Sequence, residues 1–205
     1  ISDAVRDTLA LQNLPVLDRE RREEGYRQLG IRQDVQLTRA TVIKIAEAVD
    51  ADQVVYGDVE VTLPYAGAPV TKGTIRLSAH VLDLRRLRQG PKFSETGPME
   101  ELARLQNLVC WRALQSVVTT GAPSEESFMA RNPLIRVTAI ENYVRGLLAE
   151  TDDLRHKFLT QAVRMEPDYS AAHFRLGLLH YGRREIKLAV PWYDKDQPSY
   201  ARYRE

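Results

Sequence analysis

The stretch Leu176-Gly-Leu-Leu-His-Tyr-Gly-Arg-Arg-Glu-Ile-Lys-Leu-Ala-Val-Pro-Trp-Tyr193 decides the fold of the C-terminal part of this chain. Ala189 follows Gly177 after twelve residues, and Tyr193 follows Ala189 after four. Small side chains allow two antiparallel helices to approach closely, and larger apolar side chains fill the layers on either side of them. The turn-forming Gly182 lies between the two halves of the stretch. The spacing therefore predicts a helical hairpin, with a second helix that runs unbroken from about Glu185 to Lys195.

A second copy of this pattern precedes the first. Its first helix is predicted over 140–149 with Gly146 as the close-packing residue, and Ala162, Pro167 and Tyr169 mark the end of its second helix and the start of the next pair. Together the two copies resemble tetratricopeptide repeats, whose pattern is W-x2-L-G-x2-Y…A-x3-F…P. We expect about two repeats in residues 134–205, with a third that is truncated.

The tetratricopeptide resemblance implies a binding surface. Phe174, Leu178 and Tyr181 recur at i, i+4 and i+7, so they share one face of a helix. By the geometry of such repeats, this stripe and Tyr143 face the groove that receives a protein or peptide, while Leu176 and Gly177 point inward. An alternative remains open at this point, in which the same aromatic side chains fill the core between adjacent repeats.

Residues 1–119 are predicted to mix helices and strands. A helical stripe formed by Val42, Ile45, Ala46 and Val49 is followed by two runs of period two, over 54–63 and 74–83. The Pro/Gly-rich segment 64–73 between these runs predicts an antiparallel pair of half-buried strands. A third strand is expected near 92–96, followed by a long helix that begins after Gly97-Pro98. The predicted fold class is α+β, a small mixed domain with a strand meander followed by an all-α array.

This order of elements resembles the amino-terminal domain of TolB and the related domain of curli-secretion proteins. The residues that carry the resemblance are Ile43, Ile45 and Ala46, the junction 51–59, and the alternating Ile75, Leu77, Ala79 and Val81. Domains of this type open with a strand, whereas this sequence begins inside the first helix. The resemblance implies a docking or assembly platform, and its pairing with repeats favours the bacterial periplasm or cell envelope over the cytoplasm. The predicted domains are 1–119 and 134–205, joined by a linker over 120–133.

Composition limits the classes of function. The net charge is +1, and neither half of the chain is strongly basic, which argues against non-specific nucleic-acid binding. The densest basic cluster, 85–92, lacks interleaved aromatic residues and is interpreted as a solvated loop. No apolar run reaches the ~18–20 residues of a membrane span.

The sequence offers little for catalysis or for cofactors. His173 and His180 are seven residues apart, too far along a helix to hold one metal ion. The segment 67–74 has Lys-Gly-Thr where a phosphate loop needs Gly-Lys-Ser/Thr, and it joins two strands. Cys110, the single cysteine, is predicted to lie buried in a helix where its thiol is unreactive. We therefore expect neither an enzyme, nor a metal, nor a cofactor.

Two functional hypotheses follow. The first is a non-catalytic protein–protein interaction or scaffold module of the bacterial cell envelope, with Tyr143, Phe174, Leu178 and Tyr181 as the residues that bind another protein. The alternative is the sensory or regulatory portion of a bacterial signalling protein whose effector domain lies outside these residues. The sequence predicts neither the identity of the partner nor the oligomeric state.

Overall fold

The computed structural model describes residues 1–32, 35–64, 72–118 and 120–195, with side chains described up to Trp192. The chain forms two compact units, Ile1–Pro133 and Leu134–Glu205. The first contains α1 (Ser2–Ala10), α2 (Arg19–Gln28), α3 (Arg39–Ala48), β1 (Gln53–Thr62), β2 (Thr74–Asp83), β3 (Arg88–Pro98), a 3₁₀ turn (Met99–Glu101), α4 (Leu102–Val117) and α5 (Glu125–Arg131). The second contains α6 (Val137–Leu148), α7 (Asp152–Met165), α8 (Ser170–Gly182) and α9 (Ile186–Lys195). The predicted α+β fold class, with a strand meander followed by helices, is confirmed.

The three strands form an antiparallel meander in the order β1-β2-β3. Val55 lies opposite Val81, and Val61 lies opposite Ile75. Because directly opposed residues point to the same side of a sheet, the odd-numbered side chains of β1 and β2 share one face. The predicted antiparallel pair and the predicted third strand are therefore confirmed. The segment 65–71, which joins β1 to β2, lies outside the described residues.

The core of the first unit lies between this odd-numbered face and α4. Helix α4 contacts β2 and β3, and α1 packs against α4. Eight buried residues form one continuous apolar cluster: Ile75, Leu77, Ala79, Val81, Phe93, Leu105, Val109 and Ala113. The alternation of apolar and polar residues in β2 thus buries one side of the strand under a helix, as the sequence predicts.

Strand β1 departs from the prediction that it is half-buried along its length. Val55 packs against the core, but Val59 is 54% exposed and Val61 is 49% exposed. The cause is position, because β1 lies at the edge of the sheet and α4 covers the two other strands. Alternation in β1 therefore predicts which side chains share a face, but not whether another element covers them.

Residues 120–133, expected to form a linker, lie within the first unit and contain α5. The side chain of Ser124 caps this helix by accepting a hydrogen bond from the backbone N–H of Ser127. Phe128 is buried in a second apolar cluster with Leu9, Cys110 and Leu114. One aromatic side chain thus attaches the segment to α1 and α4.

The second unit is a series of antiparallel helices in which α6 packs on α7, α7 on α8, and α8 on α9. A Cβ atom at Gly146 would lie 2.8 Å from Cγ of Leu159, so this glycine is where α6 and α7 approach closely. Ala139, Ala162 and Ala172 are fully buried. Small residues thus occupy the helix contacts, which is the arrangement expected from the spacing around Gly146.

Helix α9 is continuous through Pro191, and Ala189 is buried, as the spacing around Gly177 predicts. The repeat spacing places Pro191 at or just after the first turn of this helix, and the structure places it just after that turn. Because α9 begins at Ile186, Pro191 is its sixth residue and not part of the first turn. The proline therefore removes the N–H that would donate to the carbonyl of Lys187. The sequence also predicts that Tyr193 packs against Leu176 and Gly177, and this contact lies outside the described side chains.

Candidate functional site: the exposed face of α8 and its neighbours

Helix α8 divides into a buried face and an exposed apolar face. The buried face includes Ala172, Leu176 and Leu179, together with the two histidines of the helix. On the opposite face, Leu178 is 39% exposed, Tyr181 is 62% exposed, and Phe174 is half-buried. The three residues predicted to lie on one stripe therefore share one helix face, and two of them are clearly accessible.

Tyr143 reaches the same region from α6. Its ring lies 5.2 Å from that of Tyr169, measured between centroids, and the two planes are tilted by 49°. Tyr169 is the residue immediately before α8. The structure thus brings Tyr143 to the N-terminal end of α8, while Phe174, Leu178 and Tyr181 continue along that helix.

Sequence reasoning missed a second apolar surface on α6. Val144 and Leu147 are exposed, and Leu148 is 78% exposed. Only one side of α6 is buried, through Ala139, Asn142 and Gly146. A signal was present in the sequence, because apolar residues occupy more of the circumference of α6 than packing against a single neighbour requires.

A cation flanks the exposed stripe of α8. Arg175 is exposed, lies three residues before Leu178, and forms no ion pair with any described residue. By contrast, Arg136 pairs with Glu166 at 3.1 Å. The stripe therefore combines apolar area with a positive charge that is available to a ligand.

The buried side of α8 is held by histidines that form hydrogen bonds. Nε2 of His173 donates to the backbone carbonyl of Pro167 at 2.7 Å, and Nδ1 of His180 donates to the carboxylate of Glu185 at 2.7 Å. The His180 ring is also stacked with Trp192 of α9 at a centroid distance of 6.4 Å. These contacts fix the rotation of α8 about its axis and so the direction in which Leu178 and Tyr181 point.

His156 of α7 lies next to His180 of α8. Its ring lies 5.3 Å from that of His180 in an edge-to-face arrangement. Burial lowers the pKa of His156, and the neighbouring His180 and Arg183 lower it further. Sequence reasoning did not bring these two histidines together, because their proximity depends on how α7 packs against α8.

No set of three His, Cys, Asp or Glu side chains is close enough to hold a metal ion in the part of the chain that the structure describes. His156 and His180 form a pair without a third candidate ligand. Cys110 is buried among α1, α4 and α5, and burial raises the pKa of its thiol to about 11. At neutral pH that thiol is protonated and is a poor nucleophile.

The first unit has a shallow open cavity of about 370 Å³, between β3 and α4. Its lining residues are Pro91, Lys92, Phe93, Trp111, Arg112, Gln115 and Ser116. Arg112 is paired with Glu95 at 2.9 Å, and the indole N–H of Trp111 donates to the carbonyl of Pro123. Both side chains are therefore committed to contacts within the unit, and the cavity is remote in sequence from the four predicted binding residues.

Over residues 1–32, 35–64, 72–118 and 120–195, no helix has both the length and the apolar character needed to cross a membrane. The chain was also compared with known proteins. No family model, no curated protein and no solved structure matches it.

Proposed function

We propose that the second unit is a non-catalytic module that binds another protein or a peptide through the exposed face of α8. The observation that carries the proposal is the exposure of Leu178 and Tyr181 on a helix whose opposite face is held by buried histidines. Exposed aromatic side chains on a rigid scaffold are favourable anchors, because they bury a large area and lose little conformational entropy on binding. Phe174 lies on the same face of α8, and Tyr143 contacts Tyr169 at the N-terminal end of that helix.

The chemistry of this surface favours a partner with apolar anchors and an acidic residue beside them. Leu178 and Tyr181 offer two adjacent apolar positions one turn apart. Arg175 offers a guanidinium group that no described residue neutralises. A guanidinium group forms bidentate hydrogen bonds with a carboxylate, which would set the direction in which the partner lies along α8.

The first unit is proposed to act as an assembly or docking platform of the bacterial cell envelope. Support for this role comes from the resemblance of residues 1–119 to the amino-terminal domain of TolB and to curli-secretion proteins. The buried, unreactive thiol of Cys110 is compatible with a role that involves no chemistry at this residue.

A pair of matched double variants tests the binding surface. We expect Leu178→Ser with Tyr181→Ser to abolish capture of the partner by the full chain from envelope and cytoplasmic extracts of the source cells. The control is Ile186→Ser with Leu188→Ser, because these two apolar residues on α9 are as exposed as the first pair. Both variants should unfold at the same temperature as the parent, since neither pair is buried.

Three outcomes contradict the proposal. One is capture that survives the change in α8, and another is capture that is lost equally with the change in α9. The third is a partner that co-purifies only when the second unit is deleted. Recovery of the partner from the cytoplasmic extract alone would leave the binding surface in place and contradict the envelope assignment.

A further inference from the structure

In the described part of the chain, the outer edge of β1 is not paired with another strand, and the strand contacts α3. Strand β1 is ten residues long and pairs with β2 on one side, while no described residue pairs with its other side. An edge strand presents a row of backbone N–H and C=O groups that can pair with an additional strand. The edge of β1 therefore has the backbone groups needed to accept one.

The opposite edge of the same sheet is protected, and β1 is not. Strand β3 contains Pro91 and Lys92 next to Gly90, and it ends at Pro98. Proline cannot donate to a neighbouring strand, and an edge lysine disfavours pairing of strands. The sequence of β1, Gln-Val-Val-Tyr-Gly-Asp-Val-Glu-Val-Thr, contains no proline, lysine or arginine.

The two faces of β1 carry different chemistry. Val59 and Val61 are about half exposed on the face that is shared with the core. Asp58 and Glu60 lie on the other face, and their carboxylates form no ion pair or side-chain hydrogen bond with a described residue. On this second face Arg76 of β2 lies opposite Glu60 on the inner side of β1, so the two carboxylates are the charges nearest the open edge. An added strand would thus meet apolar groups on one face and these carboxylates on the other.

We propose that β1 accepts an extended segment of a partner protein in which apolar residues alternate with lysine or arginine. Backbone hydrogen bonds to β1 supply affinity, and the alternation supplies specificity. The apolar side chains of the segment cover Val59 and Val61, and its basic side chains lie beside Asp58 and Glu60. This surface belongs to the first unit and does not depend on the proposed role of α8.

A second copy of the chain fits the edge less well. An antiparallel pair of β1 strands centred on Val59 places Asp58 of each copy opposite Glu60 of the other. A pair centred on Glu60 places the two Glu60 carboxylates opposite each other. Like charges directly across a strand pair are destabilising, so both registers that place Val59 opposite an exposed valine are disfavoured.

The probe for the experiment is a synthetic ten-residue peptide in which valine alternates with lysine, titrated into the ¹⁵N-labelled full chain. We expect chemical-shift changes concentrated in β1 and protection of its outward-facing amides from hydrogen exchange. A peptide with glutamate in place of lysine should bind about tenfold more weakly, because two favourable cross-strand charge pairs become repulsive. Two further peptides carry N-methyl groups on alternate residues, one at the odd positions and the other at the even positions. Only one of them should retain binding, because only one keeps the N–H groups that point toward β1.

Variants of the chain separate strand addition from general charge attraction. Glu60→Lys should weaken binding of the lysine peptide and strengthen binding of the glutamate peptide. Glu20→Lys makes the same charge change on exposed α2 and should leave both affinities unchanged. Equal binding of both N-methylated peptides, or an equal effect of the two charge reversals, overturns the proposal. Outward-facing amides of β1 that are already protected without peptide also overturn it, because the edge is then occupied by a second copy or by the protein itself.

Discussion

Nδ1 of His180 and Oε2 of Glu185 lie 2.7 Å apart across the turn between α8 and α9. The turn is closed by the backbone N–H of Glu185, which donates to the carbonyl of His180, and by Arg184 in a left-handed conformation with φ 61°. His180 is nearly buried, whereas the carboxylate of Glu185 reaches solvent. A single carboxylate thus satisfies a buried ring nitrogen and holds the end of α8 that presents Tyr181.

Removal of this carboxylate should destabilise the second unit. Glu185→Ala leaves the buried Nδ1 of His180 without an acceptor, and we expect a loss of about 1–3 kcal/mol in the free energy of unfolding by urea. Glu185→Gln should lose less, since the amide oxygen can still accept the hydrogen bond. Glu150→Ala removes an exposed carboxylate from the loop between α6 and α7 and serves as the control. If both alanine variants are equally stable, the His180–Glu185 bond contributes nothing.

The stability of the second unit should fall in mildly acidic solution. The pKa of His156 is lowered below its ordinary value of 6.5, first by burial and then by His180 and Arg183, while Glu185 and Asp153 oppose the shift. The unfolded chain therefore takes up a proton at a higher pH than the folded chain does. The resulting stability is present above pH 6.5 and is lost as the pH falls from there toward the lowered pKa.

The check on this pH dependence is the urea midpoint of unfolding at pH 7.5 and at pH 5.5. The midpoint of the parent should fall with pH, and the drop should be smaller for His156→Gln. An equal drop in the two proteins would assign the effect to other groups.

Gly146 should not tolerate a methyl group. A Cβ at this position would lie 2.8 Å from Cγ and 2.9 Å from Cδ2 of Leu159, which is fully buried. Gly182, at the end of α8, has no atom within 4 Å of the corresponding position. Because both changes replace glycine with alanine, we expect Gly146→Ala to be less stable than Gly182→Ala by about 1–3 kcal/mol. Equal melting temperatures would place Gly146 away from the helix contact.

Replacement of Pro191 should stabilise the second unit. Alanine at this position restores an N–H that can donate to the carbonyl of Lys187, and it removes the steric conflict that a proline ring inside a helix has with the carbonyl four residues earlier. We expect Pro191→Ala to raise the free energy of unfolding by up to about 3 kcal/mol. Pro123→Ala, in a loop of the first unit, should instead cost about 0.4–1 kcal/mol through greater freedom of the unfolded chain. A Pro191→Ala variant no more stable than the parent would show that α9 does not use this hydrogen bond.

Local periodicity in the sequence predicted much of the fold. Period two in 54–63 and 74–83 predicted both strands and their antiparallel pairing, because alternation reports which side chains share a face. The spacing from Gly177 to Ala189 predicted the α8–α9 hairpin and the continuation of α9 past Pro191. Phe174, Leu178 and Tyr181 were placed on one face by helical repeat alone. Each of these features depends on residues close together in sequence.

Features that depend on which element covers another were decided only by the tertiary structure. Val59 and Val61 have the same pattern as Ile75 and Leu77, yet they are exposed, because α4 packs on β2 and β3 and β1 lies at the edge. Residues 120–133, expected to form a linker, belong to the first unit because Phe128 packs against Leu9 of α1 and Leu114 of α4. His156 and His180 meet because α7 packs on α8. The sequence by itself determined which residues share a face; burial of that face required contacts between elements distant in sequence, which local periodicity does not encode.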